Sequence, residues 1–380
     1  MITFNKVYFT GKEAGYITDT FACGKISGNG KYTQLCHDFF EKCYGFKKCL
    51  LTTSCTDALE MAAILLNIVP GDEVIMPSYT FVSTANAFVL RGAKIVFADS
   101  MAQNPNIDAE SLEFLITSKT KVIVPVHYAG IACDMDTIMA IARKYNLFVV
   151  EDAAQAIDSY YIGKDGIRKP LGSIGHLAVF SFHETKNIIS GEGGMLVIND
   201  EQFLKRAEIV WENGTNRSAF FRGESDNYGW VDIGSSFLPS EIVAAFLYAQ
   251  LEHINQIQER RLAIWNLYYD SLVELGNNGI IGLPGLPNYA TNNAHMFYLV
   301  CKDFEQRTLI IEELRKSDVH AVFHYLSLHR SEFYKDKHDN RALGNSDSFS
   351  ERLVRLPFYY ELADGDVKKI AEAIVKIVSK

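Results

Sequence analysis

Between residues 70 and 152 the sequence alternates short, continuously apolar runs with stretches of helical periodicity. Glu73 to Pro77, Lys94 to Ala98, Lys121 to Val126 and Leu147 to Asp152 read as strands; Phe81 to Leu90 and residues 135–145 read as helices. A strand with no polar face has to be covered on both sides, and parallel strands need a crossover helix between them. The pattern therefore predicts an α/β fold with a mainly parallel sheet in a large domain. Ligands of such sheets bind where the strands end, at their carboxyl edge. Asp152 falls at one of these ends, where a carboxylate is costly unless paired, although a plain helix cap explains an acidic residue there as well.

A second stretch carries more chemistry. Val179 to Phe182 leads into His183-Glu184-Thr185-Lys186-Asn187, then a glycine knot, Gly191-Glu192-Gly193-Gly194, then the apolar run Met195 to Ile198. Two buried strands joined by a tight loop give this pattern, with Lys186 held where the backbone turns. A lysine desolvated there is a nucleophilic amine able to condense with a carbonyl; on an open hairpin it is an ordinary surface lysine. Upstream, Leu50 and Leu51 run into the hydroxyl cluster Thr52 to Thr56, after which an alanine-rich helix begins. The free amides and positive dipole of a helix start make a ready phosphate site, and N-capping by Ser54 or Thr56 is compatible with it.

Residues 15–30, rich in glycine and small polar residues, read as a loop, either a flexible arm or a segment reaching into a site. Residues 33–44 and about 201–213 read as helical. A polar passage from Asn213 to Gly234 follows, then a long helical pattern from about 239 to 273 interrupted once. The last hundred residues give short strands (295–301, 319–323) and helices (305–316, 364–378), a smaller α+β domain. The expected division is residues 1–245 for the large domain with its N-terminal arm, and 246–380 for the connecting helix and small domain.

Composition narrows the function. At 380 residues, 48% of them hydrophobic, the chain has material for a substantial core. A net charge of −9 leaves no basic stripe for nucleic acid or an acidic membrane. The amino terminus lacks the charged-then-apolar build of a signal peptide, and no run approaches the roughly 20 apolar residues of a membrane span, so a cytoplasmic protein is expected. Seven cysteines, without a CxxC pair or zinc spacing, read as reduced thiols with no metal site. The GxGxxG turn that a nicotinamide-dependent dehydrogenase requires after the first strand is absent.

In family order, the chain carries Thr53-Ser54-Cys55-Thr56-Asp57-Ala58-Leu59, Pro77-Ser78-Tyr79-Thr80-Phe81, Glu151-Asp152-Ala153-Ala154-Gln155-Ala156, Ser181 to Asn187, and Gly191 to Gly194. In these motifs it resembles the sugar aminotransferases of the DegT/DnrJ/EryC1/StrS family over nearly its whole length. The resemblance implies the type I pyridoxal-phosphate transferase (aspartate aminotransferase) fold and pyridoxal 5'-phosphate as cofactor. It implies Lys186 as the catalytic, cofactor-bound lysine and Asp152 as partner of the pyridine nitrogen. Gln155 then contacts the ring hydroxyl, Phe81 stacks on the ring, and Cys55, Thr56 and Ser181 cradle the phosphate. Ser236 stands where many members place an asparagine lent by the partner subunit, so a homodimer with shared active sites is implied. For the substrate the matches point to Ser27, Tyr32, Arg217, Tyr325 and His329.

The resemblance extends to longer stretches, at residues 76–97, 122–130, 147–155, 180–187, 214–223, 293–298 and 321–325, and on these it implies a dTDP-4-keto-6-deoxy-hexose as substrate and L-glutamate as amino donor. The expected products are dTDP-4-amino-4,6-dideoxygalactose and 2-oxoglutarate; amination at C3, or at C4 with the gluco configuration, are the alternatives. Dehydratases of the family put histidine where this chain has Lys186. A non-catalytic regulator would need an added DNA-binding domain, for which neither length nor charge leaves room.

Overall fold

A computed structural model describes residues 1–379. The chain opens with helices α1 (Glu13–Ala22) and α2 (Lys31–Tyr44), then alternates β1 (Lys48–Thr52), α3 (Cys55–Leu65), β2 (Glu73–Pro77), α4 (Val82–Val89) and β3 (Lys94–Ala98). It continues through β4 (Thr120–Ile123), α5 (Met135–Tyr145), β5 (Phe148–Asp152), a short hairpin β6 (Tyr160–Ile162) and β7 (Arg168–Pro170), then β8 (Leu177–Ser181) and β9 (Gly194–Ile198). Seven strands form the central sheet in the order β1-β9-β8-β5-β4-β2-β3, and only β9 runs against the others.

Strand residues alternate between the two faces of this sheet, as the period of two requires. Leu51, Ile75, Ile123, Val149 and Phe180 face one apolar cluster; Leu50, Val74, Met76, Val150 and Val179 face the other. Each is almost fully buried, and each such side chain contributes about 1.5–3 kcal/mol of transfer free energy. The expectation of a mainly parallel sheet covered on both faces is met.

After β9 come α6 (Leu204–Trp211), α7 (Arg217–Phe221), α8 (Glu241–Leu251) and α9 (Ile254–Asn277), the last two being the long helical pattern with its one interruption. The remainder alternates β10 (Tyr298–Val300), α10 (Phe304–Lys316), β11 (Val322–Phe323), α11 (Gly344–Arg352), β12 (Leu353–Arg355) and α12 (Asp364–Val378). Strands β10, β12 and β11 make an antiparallel sheet with β12 central, backed by a third apolar cluster from α9, α10 and α12.

The reading of residues 15–30 as loop needs correction, because α1 occupies its first part. Its start is fixed by tertiary contact. The buried Glu13 carboxylate accepts from the amides of Thr10 (2.8 Å) and Gly11 (3.0 Å) and from Gln250 of α8 (2.7 Å). The glycines that follow serve close approach. A Cβ at Gly28 would lie 2.5 Å from the Pro239 carbonyl oxygen, and one at Gly30 would lie 2.6 Å from the Glu241 carboxyl carbon. Glu241, at the start of α8, accepts from the amides of Gly30 (2.8 Å) and Tyr32 (2.7 Å) and so caps α2 from another element.

Candidate active site

Three strand ends meet at the carboxyl edge of the sheet. Antiparallel register puts Thr52 of β1 and Ser181 of β8 on either side of Gly194, the first residue of β9. Immediately after β1, Ser54 caps α3, its hydroxyl accepting from the Asp57 amide at 3.1 Å. The first-turn amides of Cys55 and Thr56 have no partner within the helix. Gly194 makes this arrangement possible. A Cβ there would sit 2.4 Å from the Cys55 nitrogen and 2.5 Å from the Ser54 carbonyl oxygen. The helix start thus lies directly on the end of β9, beside Ser181, as a cradle for an anion. Thr56 donates to Ser83 (2.9 Å), which ties α3 to α4.

The lysine loop hangs from the same edge. It closes through Phe182 N to Gly193 O (2.8 Å), Glu184 N to Gly191 O (2.9 Å) and Ser190 N to Phe182 O (2.7 Å). Asn187 anchors its far side, donating to Gln258 and to the Asn293 carbonyl (both 2.8 Å) and accepting from His295 Nδ1 (2.8 Å). Lys186 is fixed between these anchors. Burial lowers its pKa from the ordinary lysine value; the charges of Cys55 and Asp152 work to raise it, and Arg355 lowers it further. The net shift is downward, toward the nucleophilic amine form.

Neighbouring carboxylates on β5 point to opposite faces and meet different fates. Glu151 is buried among donors: the amides of Gly172 (2.9 Å), Ile174 (2.7 Å) and Gly175 (2.6 Å), and His127 Nε2 (3.0 Å). Burial works to raise its pKa, but the bonds from His127 and the amides prevail and hold it below the usual value. The Cys133 amide donates to His127 Nδ1 (3.1 Å), so the imidazole carries its proton on Nε2. Asp152, on the other face, accepts from Thr84 (2.8 Å) and the Ala154 amide (3.1 Å). Here burial prevails and raises the pKa. Among the described residues no basic group lies within 4.0 Å of it. A buried carboxylate in that state calls for a cationic ligand group.

The mutual charge effects among Cys55, Asp152 and Lys186 place these three in one site. Gln155 joins them from the turn after β5, its Oε1 held by the Ala129 amide (2.7 Å) and its Nε2 donating to the Tyr325 hydroxyl (3.3 Å). Phe81, 54% exposed, stands at the N-cap of α4 with its ring 6.0 Å from the Tyr325 ring. An apolar ring left open beside polar groups is a surface for a flat ligand.

The remaining expected residues fall elsewhere. His329 is 7% exposed; its Nδ1 pairs with Ser78 (2.8 Å), while its Nε2 lies 3.6 Å from Asp347, beyond hydrogen-bond distance. Tyr32 lies inside an aromatic cluster with Tyr16 and Tyr248, its hydroxyl on Asp19 (2.9 Å). Ser27 is exposed, and Ser236 is exposed next to Phe237, whose carbonyl takes the Thr53 amide at 3.0 Å. Arg217 shares a cavity of about 440 Å³ with Lys25, Gly28 and Asn29, which brings the residue 24–30 loop and the 213–234 passage together. Sequence reasoning missed Thr84, His127, His324 and Arg355. Of these, Thr84 had a local signal, since it lies one helical turn after the Phe81 cap in a buried helix.

The comparisons agree with this geometry. The family model for the DegT/DnrJ/EryC1/StrS aminotransferase family matches residues 9–375. The spore coat polysaccharide biosynthesis protein SpsC of Bacillus subtilis is 32% identical over 381 residues, 97% of this chain and 94% of that one. The aminotransferase from Psychrobacter cryohalolentis superposes with a TM-score of 0.91 at 26% identity, covering 99% of each chain. Spr1654 from Streptococcus pneumoniae, assigned to the sugar aminotransferases and solved in PLP and PMP forms, is 27% identical. In the PMP form its TM-score is 0.90, with 100% of this chain and 99% of that one covered.

Pyridoxal phosphate is the cofactor of this family, and the residues present fit it: an anion cradle that a Cβ would fill, a desolvated lysine, and a buried carboxylate lacking a cation. The fold is the type I pyridoxal-phosphate transferase (aspartate aminotransferase) fold. The chain belongs to the DegT/DnrJ/EryC1/StrS aminotransferase family and is a pyridoxal-phosphate-dependent sugar aminotransferase.

Proposed function

We propose that this enzyme transfers the amino group of L-glutamate to C4 of a dTDP-4-keto-6-deoxy-hexose, giving dTDP-4-amino-4,6-dideoxygalactose and 2-oxoglutarate. The observation that carries the reading is the convergence of a desolvated Lys186 and a cation-hungry Asp152 beside the cradle at the start of α3. The long stretches around Phe81, Tyr128 and Tyr325 support the choice of sugar.

Pyridoxal phosphate, when bound, supplies a carbonyl that takes up the amino group and a ring that withdraws electrons. The chain's residues do the rest. The Cys55 and Thr56 amides and Ser181 hold the phosphate. Asp152 keeps the proton on the ring nitrogen, and the pairing relieves the burial that otherwise raises its own pKa. Gln155 is directed to the ring hydroxyl, and Phe81 covers the ring face. Lys186 acts through its Nζ as general base and acid: it takes the proton from the donor's α-carbon and later delivers one to the sugar C4, which sets the configuration there. Ser236, exposed, is offered to the phosphate cradle of a second copy, which makes the working form a homodimer. Residues of the 24–30 loop and Arg217 take the nucleotide end of the substrate.

The test incubates the enzyme with glutamate and, separately, 3-keto and 4-keto dTDP-6-deoxy-sugars, and determines the configuration of the amino-sugar by NMR. Amination of the 4-keto sugar with galacto configuration is the expected result. Turnover of the 3-keto sugar alone would overturn the assignment.

A further inference from the structure

Asn293 lies shortly before β10 and is 1% exposed, yet it joins three separate segments of the chain. Its Nδ2 donates to the carbonyls of Gln155 (2.9 Å) and Ile157 (2.8 Å), and its Oδ1 accepts from the His295 amide (3.0 Å). Its own carbonyl accepts from Asn187 Nδ2 (2.8 Å) and Gln258 Nε2 (3.3 Å). The turn that follows β5 and the lysine loop are thus tied to one buried residue. The third segment is the turn at Ala129 and Gly130, both in the left-handed region with φ of 56° and 76°. A Cβ at Gly130 would collide with the Asn293 amide, so this turn closes directly upon it.

A side-chain amide has two N–H donors and one acceptor oxygen. In Asn293 two carbonyls take the donors and a backbone N–H meets the oxygen, so neither a flipped amide nor a carboxylate satisfies the same partners. The same reasoning orients Gln155. Its Oε1 is taken by the Ala129 amide (2.7 Å), which leaves only its N–H groups available. One of them points to the Tyr325 hydroxyl (3.3 Å), and no other partner for Nε2 lies among the described residues. Gln155 therefore offers the cofactor's ring oxygen a donor and no acceptor. Both ends of Gln155 depend on Asn293. Its backbone carbonyl bonds the Asn293 amide, and its side-chain oxygen is held by the turn packed against that amide. Asn187, the residue after Lys186, is held by Asn293 as well.

We propose that Asn293 is a positioning residue: it presents Gln155 as a hydrogen-bond donor to the cofactor's ring oxygen and fixes that donor relative to Lys186. This rests on the reading that Gln155 meets the ring hydroxyl. The donor has a consequence for a proton. With the cofactor joined to Lys186, raising the pH removes the proton shared by the joining nitrogen and the ring oxygen, and the absorbance changes. Only after that loss does the oxygen bear its full negative charge. A donor on the oxygen favours the charged form and so lowers the pH at which the proton leaves. Losing or misplacing the donor raises that pH.

The test is a double-mutant cycle on the midpoint pH of that absorbance change, measured in wild type, Asn293→Ala, Gln155→Ala and the double variant. Each single substitution should raise the midpoint by about one unit. The double variant should match Gln155→Ala, because Asn293 acts through Gln155. Calorimetry on the apoenzymes adds a second readout, using pyridoxal phosphate and its 3-deoxy analogue, which lacks the ring oxygen. Asn293→Ala should bind pyridoxal phosphate about tenfold more weakly and the analogue as wild type does. A shift in Gln155→Ala with none in Asn293→Ala, shifts that add in the double variant, or equal losses for the two cofactors would overturn the role of Asn293. An unmoved midpoint in Gln155→Ala would refute the reading of Gln155 itself, and the proposal with it. Should Asn293→Ala not fold, Asn293→Ser keeps one hydroxyl donor and should move the midpoint in the same direction by about half a unit; additive shifts in its cycle would again overturn the assignment.

Discussion

Replacing Gly194 with alanine tests the cradle directly. The added Cβ would meet the Cys55 nitrogen at 2.4 Å and the Ser54 carbonyl oxygen at 2.5 Å, both backbone atoms, about 1 Å short of ordinary contact. No rotamer relieves a clash between backbone and Cβ, so the start of α3 has to move off β9. Overpacking of this kind costs about 1–3 kcal/mol of stability. The displaced amides also lose a charge-assisted hydrogen bond to phosphate, about 1.5–3 kcal/mol. Pyridoxal phosphate should therefore bind about 10- to 100-fold more weakly, while pyridoxal, which lacks the phosphate, should bind as it does to wild type. Gly193→Ala is the control. Its Cβ would meet the Ser190 hydroxyl at 2.3 Å, a side-chain end that can rotate away. Titrations followed by cofactor absorbance decide the matter. Equal effects of the two substitutions, or equal loss of pyridoxal and pyridoxal phosphate, would refute the reasoning.

Two further outcomes follow from the paired carboxylates. Asp152→Asn should keep cofactor binding within about tenfold yet lower turnover by at least about a hundredfold, since the amide cannot hold the ring-nitrogen proton; steady-state kinetics on the loaded enzyme check this. Glu151→Gln leaves buried donors without their anion and should cost about 3–5 kcal/mol in urea denaturation. Glu151 has a folded pKa below its unfolded value of about 4.3. Its contribution is therefore complete above that pH and is lost as pH falls through the lower folded value. Wild type should lose stability across that acid window, and the glutamine variant should lose less.

Much of this was legible before any coordinates. The apolar strands between 73 and 152 had no polar face, which left a doubly covered parallel sheet as the solution, and Asp152 and Lys186 sat where such a sheet puts its ligands. Helix α1 was not legible, because the Glu13 carboxylate that organises its start is held by Gln250, far along the chain. Strand β12 is three residues long and fixed by two neighbours rather than by its own pattern. Arg355, at its end, therefore carried no signal. The division of labour between Glu151 and Asp152 was implicit in strand alternation, but their partners, the 172–175 amides and Thr84, come from separate loops and helices.

The central claim is that Lys186 is the amine that joins the cofactor. Borohydride reduction of the enzyme after loading with pyridoxal phosphate, followed by peptide mass spectrometry, reads this out. The account predicts a pyridoxyl adduct on Lys186 alone, absent from Lys186→Ala; an adduct on another lysine, or none on the wild type, would contradict it.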